Sequence, residues 1–202
     1  MPTIYDLKPA FQARLRPLVD RLAAAGVTPN QVTVAALLLS VAVGSVVALL
    51  ADARWPLLLV PVVLFLRMAL NAVDGMLARE HGMETRLGAL LNELGDVLSD
   101  VALYLPFALV AGVWPELVVG VALLAVLSEM VGVVAVQITA SRRYAGPMGT
   151  SDRAAVFGAL GLWLGLGGAS GAWLNLLLLV VAALLVLTVV NRGRRALLEV
   201  GA

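Results

Sequence analysis

The sequence predicts an all-α integral membrane protein, a bundle of six transmembrane helices with an N-terminal amphipathic interfacial helix. Three observations lead there. The chain is 61% hydrophobic with a mean hydropathy of +0.99, whereas a soluble domain is nearer half apolar. Six segments approach the roughly 20 apolar residues that cross about 30 Å of hydrocarbon. Twelve of the fourteen lysines and arginines fall before the first segment, after the last, or in alternate connections, the asymmetry that fixes topology in a membrane.

Residues 1–25 come first. Leu7, Phe11, Leu15, Leu18 and Leu22 recur at helical spacing, and Lys8, Arg14, Arg16, Asp20 and Arg21 lie among them. This stretch lacks the apolar core of a signal peptide. It reads as an amphipathic helix, either lying on the membrane surface or packed on its own bundle. The spans follow at 31–51, 56–78, 88–112, 115–139, 153–168 and 172–191. Asn30 is the expected N-cap of the first. Turns are expected near 53–56, 112–115 and 167–171. The second and third spans run past the hydrocarbon with polar ends, and the fifth is short and rich in glycine. No internal repeat is evident, so 1–202 reads as one domain: an interfacial helix at 1–25 and a six-span core at 26–195.

Basic residues orient the bundle. Lys8, Arg14, Arg16 and Arg21 precede the first span, and Arg79 and Arg86 follow the second. Arg142, Arg143 and Arg153 lie between the fourth and fifth, and Arg192, Arg194 and Arg195 follow the sixth. Only Arg54 falls in an opposite loop, and Arg67 lies within a span. Both termini are therefore expected in the cytoplasm, in a bacterial inner membrane by composition. The absence of cysteine excludes disulfides, and a net charge of +1 argues against nucleic acid as a partner.

Polar residues inside such a chain are costly and mark function. Asn71, Asp74, Gly75 and Ala78 share one helix face, and Gly88, Asn92, Asp96 and Asp100 repeat every four residues on the next. Two such faces could gather oxygen ligands around a hard cation such as Mg²⁺ or Mn²⁺. A cavity there would open to soluble metabolites and to lipid at once. Packing alone would account for the small residues, because small-xxx-small faces are common between membrane helices. It does not account for Asp74 and Asp96 at this spacing.

These residues resemble the signature of the CDP-alcohol phosphatidyltransferase family. That pattern runs Asp, two residues, Asp-Gly, two residues, Ala-Arg, eight residues, Gly, three residues, Asp, three residues, Asp. Asp74-Gly75, Ala78-Arg79, Gly88 and Asp96 match, with eight residues between Arg79 and Gly88. Two positions depart, with Asn71 and Asn92 standing where the family has Asp. The resemblance implies a six-helix core and a site holding one or two ions of Mg²⁺ or Mn²⁺. Asn71, Asp74, Asn92 and Asp96 would be its ligands, joined by Asp100 one turn on. It implies Asp96 as general base, and Asp74, Gly75, Ala78, Arg79 and Gly88 as the nucleotide face. With two carboxylates replaced by amides, metal binding is expected to be weaker, single, or complete only with the substrate diphosphate present.

The implied reaction moves a phosphatidyl group from a CDP-linked lipid, CDP-diacylglycerol by expectation, to a small alcohol or phosphorylated polyol, releasing CMP in phospholipid biosynthesis. Arg142, Arg143 and Arg153 are candidates for an anionic acceptor by location; the positive-inside bias and lipid headgroups account better for Arg142 and Arg143, and equally well for Arg153. Arg194 and Arg195 are weaker candidates of the same kind. Membrane lipids are partners, and homodimers, usual in the family, are permitted here. An Arg67–Glu129 pair is conceivable, and His81 reads as a solvated loop residue. Two other readings stay open: a relative that binds CDP-lipid without turning it over, and a transporter with carboxylates along its path, which the missing repeat disfavours.

Overall fold

A computed structural model describes residues 4–138, 140–142 and 144–201, with side chains from residue 10 onward. Among the described residues seven α-helices follow one another: α1 (Ile4–Ala24), α2 (Pro29–Leu49), α3 (Leu59–Glu80), α4 (Arg86–Tyr104), α5 (Pro115–Val134), α6 (Thr150–Gly165) and α7 (Ala172–Glu199). Short 3-10 turns lead into α3 and extend α4 and α5.

Helix boundaries follow local chemistry. Pro29 is pre-set for a first helical turn, and Thr28 caps α2 in a reciprocal box with Gln31. The cap is therefore Thr28, not Asn30, because Thr28 has the extended backbone that a cap needs. Gly82, at φ +66°, turns the chain between α3 and α4, a conformation glycine adopts without a Cβ penalty. Thr85 then caps α4, accepting from Gly88 N–H at 2.9 Å.

Among the described residues four helices are long and apolar enough to cross a membrane: Pro29–Leu49, Trp55–Glu80, Pro115–Ile138 and Ala172–Glu199. The two other expected spans fall short of that standard for different reasons. Helix α4 carries Glu93, Asp96 and Asp100 in 19 residues, and α6 has only 16 residues, about 24 Å at 1.5 Å per residue. Both pack within the bundle.

The core joins α2, α3, α5, α6 and α7 through Val43, Val60, Leu64, Val121, Phe157, Leu164 and Leu178, with Leu103, Tyr104 and Phe107 from the α4 region. Tyr104 stacks on Phe157 at 4.0 Å between centroids. Outward surfaces are apolar too: Leu38, Phe65, Leu123, Leu176 and Leu187 are all more than half exposed. Apolar surface on that scale marks contact with lipid or protein. Helix α1 packs on α3: Val19 is fully buried, Phe11 meets Phe65 edge-on at 6.5 Å, and Arg16 pairs with Glu80 at 2.9 Å. Of the two sequence readings of α1, the structure gives the helix packed on its bundle. His81 sits 3.3 Å from Asp20 of the same helix.

Candidate active site

A cavity of about 610 Å³ opens between the first turns of α2, the end of α3 and the start of α4. Its size suits a small-molecule ligand. Asn71, Asp74, Gly75, Ala78, Arg79, Gly88 and Asn92 all line it, and α2 adds Pro29, Asn30 and Thr33. The two polar faces read from the sequence therefore meet in one place. Nothing in the sequence marked Thr33, and Asn30 was marked only as a helix cap, because α2 is otherwise an apolar helix without acidic residues in its first turn or basic ones in its last.

Asp74 is 5% exposed, and its Oδ2 accepts from Thr33 Oγ1 at 2.8 Å. The small residues keep the floor low. A Cβ on Gly88 would lie 2.7 Å from Asn30 Oδ1 and 2.9 Å from Thr85 Oγ1. One on Gly75 would lie 2.8 Å from the Arg79 guanidinium, which folds back over it. The start of α4, from Thr85 to Ala89, also faces the cavity, and a helix N-terminus favours anions.

Asp96 stands beside Asn71 on the facing helix. Asn71 Nδ2 donates to Asp96 Oδ1 at 2.8 Å, and Arg67 Nη2 reaches the same oxygen at 3.3 Å. Arg67 is 5% exposed, and its Nη1 donates to Asp100 Oδ1 at 2.8 Å. The other Asp100 oxygen accepts from Arg153 Nε and Nη2 at 3.0 and 2.9 Å. Asp100 thus departs from the ligand role expected of it, because guanidinium groups take both its oxygens.

Further into the bundle the chain of charges continues. Arg153 Nη2 donates to Glu129 Oε1 at 3.0 Å, and Arg192 Nη1 to Glu129 Oε2 at 3.1 Å. Arg153 and Arg192 are each 1% exposed. Arg142 pairs with Glu93 and approaches Glu129 at 3.5 Å. Burial would lower the Arg142 guanidinium, but the hydrogen bonds and charge of Glu93 hold it above its ordinary value. The conceivable Arg67–Glu129 pair is replaced by Arg67 with Asp96 and Asp100. Sequence reasoning saw Arg192 as an end-of-span charge and missed its burial. Of the acceptor candidates, Arg142 and Arg153 belong to this network, while Arg143 lies outside the described residues.

A divalent cation needs hard oxygen donors. Asp74, Asp96 and the amide carbonyls of Asn71 and Asn92 are donors of that kind, with two negative charges between them. Among the described residues no group of three or more His, Cys, Asp or Glu is placed to hold a metal ion, which follows from the two amides and from the capture of Asp100.

The fold and site define a helical membrane protein with a polar cavity at one end. The chain matches the family model for CDP-alcohol phosphatidyltransferase over residues 26–190 and belongs to that family. It is 48% identical over 196 residues to the inner membrane protein YnbA of Escherichia coli (strain K12), covering 97% of each chain. It is 31% identical over 106 residues to archaetidylinositol phosphate synthase of Pyrococcus horikoshii, covering 51% of this chain and 52% of that one. Its fold resembles the phosphatidylinositol phosphate synthase PgsA1 of Mycobacterium tuberculosis solved with CDP-DAG bound. There the TM-score is 0.74 at 21% identity, covering 90% of this chain and 92% of the other. The same enzyme with manganese and citrate gives 0.72 at 23% identity, covering 89% and 87%.

Proposed function

We propose that the chain transfers a phosphatidyl group from CDP-diacylglycerol to a small alcohol and releases CMP. The observation that carries this is the meeting of Asn71, Asp74, Gly75, Ala78, Arg79, Gly88 and Asn92 in one cavity, with Asp96 hydrogen-bonded to Asn71 at its edge. The cytidine diphosphate lies over Gly75, Ala78 and Gly88, whose small side chains keep that wall of the cavity low. Arg79 and the start of α4 face the diphosphate. The acceptor oxygen attacks the lipid-side phosphorus, the bond from that phosphorus to the CMP oxygen breaks, and the acceptor proton passes to Asp96. Asp74 and the amide carbonyls of Asn71 and Asn92, beside Asp96, would hold Mg²⁺ or Mn²⁺, which would offset the diphosphate charge. PgsA1 solved with manganese supports that choice of metal.

In this reading α4 and α6 also cross the membrane, giving six spans, with both termini and the cavity in the cytoplasm. The basic residues support that orientation, and so do the tryptophans. Trp55, Trp114, Trp163 and Trp173, all partly exposed, lie at the other end of the bundle in the belt where aromatic side chains meet an interface. The name of the E. coli relative supports an inner membrane. The acceptor is an alcohol small enough to enter beside Asp96, on the side where Arg142 and Arg153 lie.

The test is CMP release by the purified protein in mixed micelles of CDP-diacylglycerol with Mg²⁺ or Mn²⁺. Glycerol 3-phosphate, inositol, inositol phosphate, serine and simple polyols serve as acceptors, with Asp96→Ala as control. Release that depends on one acceptor and disappears in the control is the expected result. Nucleotide binding without release from any acceptor would point to the binding-only relative.

A further inference from the structure

Asn71 and Asp96 meet at two positions where the family signature has aspartates. The Asn71 amide nitrogen lies 2.8 Å from Asp96 Oδ1. Were position 71 an aspartate, two carboxylate oxygens would face each other at that separation. Like charges so close cannot both stay ionised without a cation between them. The amide removes one charge and supplies a donor in its place. A positive charge is already present, since Arg67 Nη2 reaches the same Asp96 oxygen at 3.3 Å and the Asp96 main-chain oxygen at 3.5 Å. Arg67 is not free to leave. It is 5% exposed, Asp100 anchors its other nitrogen at 2.8 Å, and Arg153 holds Asp100 from the far side.

We propose that Asn71 and Arg67 together stand in for one divalent cation, so that the site binds a single Mg²⁺ or Mn²⁺, on the Asp74 side. This rests on reading the cavity as a nucleotide-diphosphate site. The guanidinium is a permanent counter-charge for Asp96, present whether or not substrate is bound. Among the described residues no guanidinium is hydrogen-bonded to Asp74: a neutral Thr33 hydroxyl is the side chain that donates to it, and Arg79 lies nearby without bonding to it. Of the two family carboxylates that remain, one therefore keeps a built-in cation and the other needs one from solution.

The experiment counts Mn²⁺ on the full-length protein in detergent by electron paramagnetic resonance, with CDP present. The wild type is expected to saturate at one ion per chain. A count of none or of two in the wild type overturns the proposal, and that count needs no variant. Asn71→Asp is expected to raise the count to two. It should also melt several degrees lower than the wild type in EDTA and recover with Mn²⁺, because its two carboxylates then face each other unscreened. Unchanged melting in EDTA together with an unchanged count would also overturn it. Arg67→Gln keeps hydrogen-bonding capacity and drops the charge. It is expected to tighten Mn²⁺ binding by at least about tenfold, because a unit positive charge a few ångströms away opposes a second cation. Unaltered affinity would show that Arg67 is structural only. The counts are independent of turnover, so an inactive protein with one ion overturns the catalytic reading alone, and an active protein with two ions overturns this one alone.

Discussion

The cavity at the α2–α3–α4 end and the charge network between α4, α5, α6 and α7 are built from the same residue types and do opposite things. In the cavity, Asp74 accepts one hydrogen bond from a neutral hydroxyl, and Asn92 is solvent-exposed. In the network, Asp100 and Glu129 are closed on every side by Arg67, Arg153, Arg192 and Arg142. Spacing along α4 treats Asp96 and Asp100 alike, one helical turn apart. Their partners separate them. A carboxylate facing guanidinium groups holds helices together, and one facing a hydroxyl or an amide keeps capacity for a ligand. Asp96 stands at the border, with one oxygen tied to Arg67 and Asn71.

Changes on the two sides of that border should separate activity from stability. The largest expected effect is on the cavity side. Asp96→Ala removes the proposed base, and a positioned base contributes about 10²–10⁴-fold to rate. CMP release should fall by that factor while thermal melting stays near that of the wild type, because Asp100 still holds Arg67. On the network side the pattern reverses. Arg153→Met leaves Asp100 and Glu129 buried with one partner fewer, and breaking such a pair costs about 3–5 kcal/mol. Melting in detergent should drop by roughly 2–4 °C per kcal/mol for a chain of this size. CDP binding by whatever protein remains folded should change little. A variant that lost CDP binding without losing stability would erase the distinction.

The sequence made the helices legible and left their partners hidden. Each of the six expected spans coincides with a helix, and four of them match to within about five residues at both ends, because long apolar runs leave few alternatives. The third and the sixth are the exceptions: α4 stops at Tyr104 and a 3-10 turn carries the chain to Leu109, while α7 runs on to Glu199. The cavity face was legible as well, since Asn71, Asp74, Gly75 and Ala78 share one side of a single helix, and periodicity reports that directly. Periodicity does not say how one helix is rotated against its neighbours. Arg67 could have met Glu129 and instead meets Asp96 and Asp100, and Arg192 turns inward from the end of α7. Thr33 was hidden for another reason: a lone threonine in an apolar helix carries no signal until Asp74 is placed opposite it.

Two smaller effects sharpen the comparison at the surface of contact between helices. Gly44 lets α2 lie against α4 so closely that a Cβ would sit 2.0 Å from the main-chain oxygen of Ala102. Backbone cannot move aside as a flexible side chain can, so Gly44→Ala must push the two helices apart. Overpacking of this kind costs about 1–3 kcal/mol. Because α2 also carries Thr33 and Asn30 into the cavity, the same push should weaken CDP binding, which Arg153→Met should not do. Arg16→Ala marks the other limit. Its partner Glu80 is exposed on α3, and solvent screens such a pair, so neither melting nor CDP binding should move measurably. A clear loss of CDP binding in Arg16→Ala would place α1 within the working site and extend the cavity side of the border to the N-terminal helix.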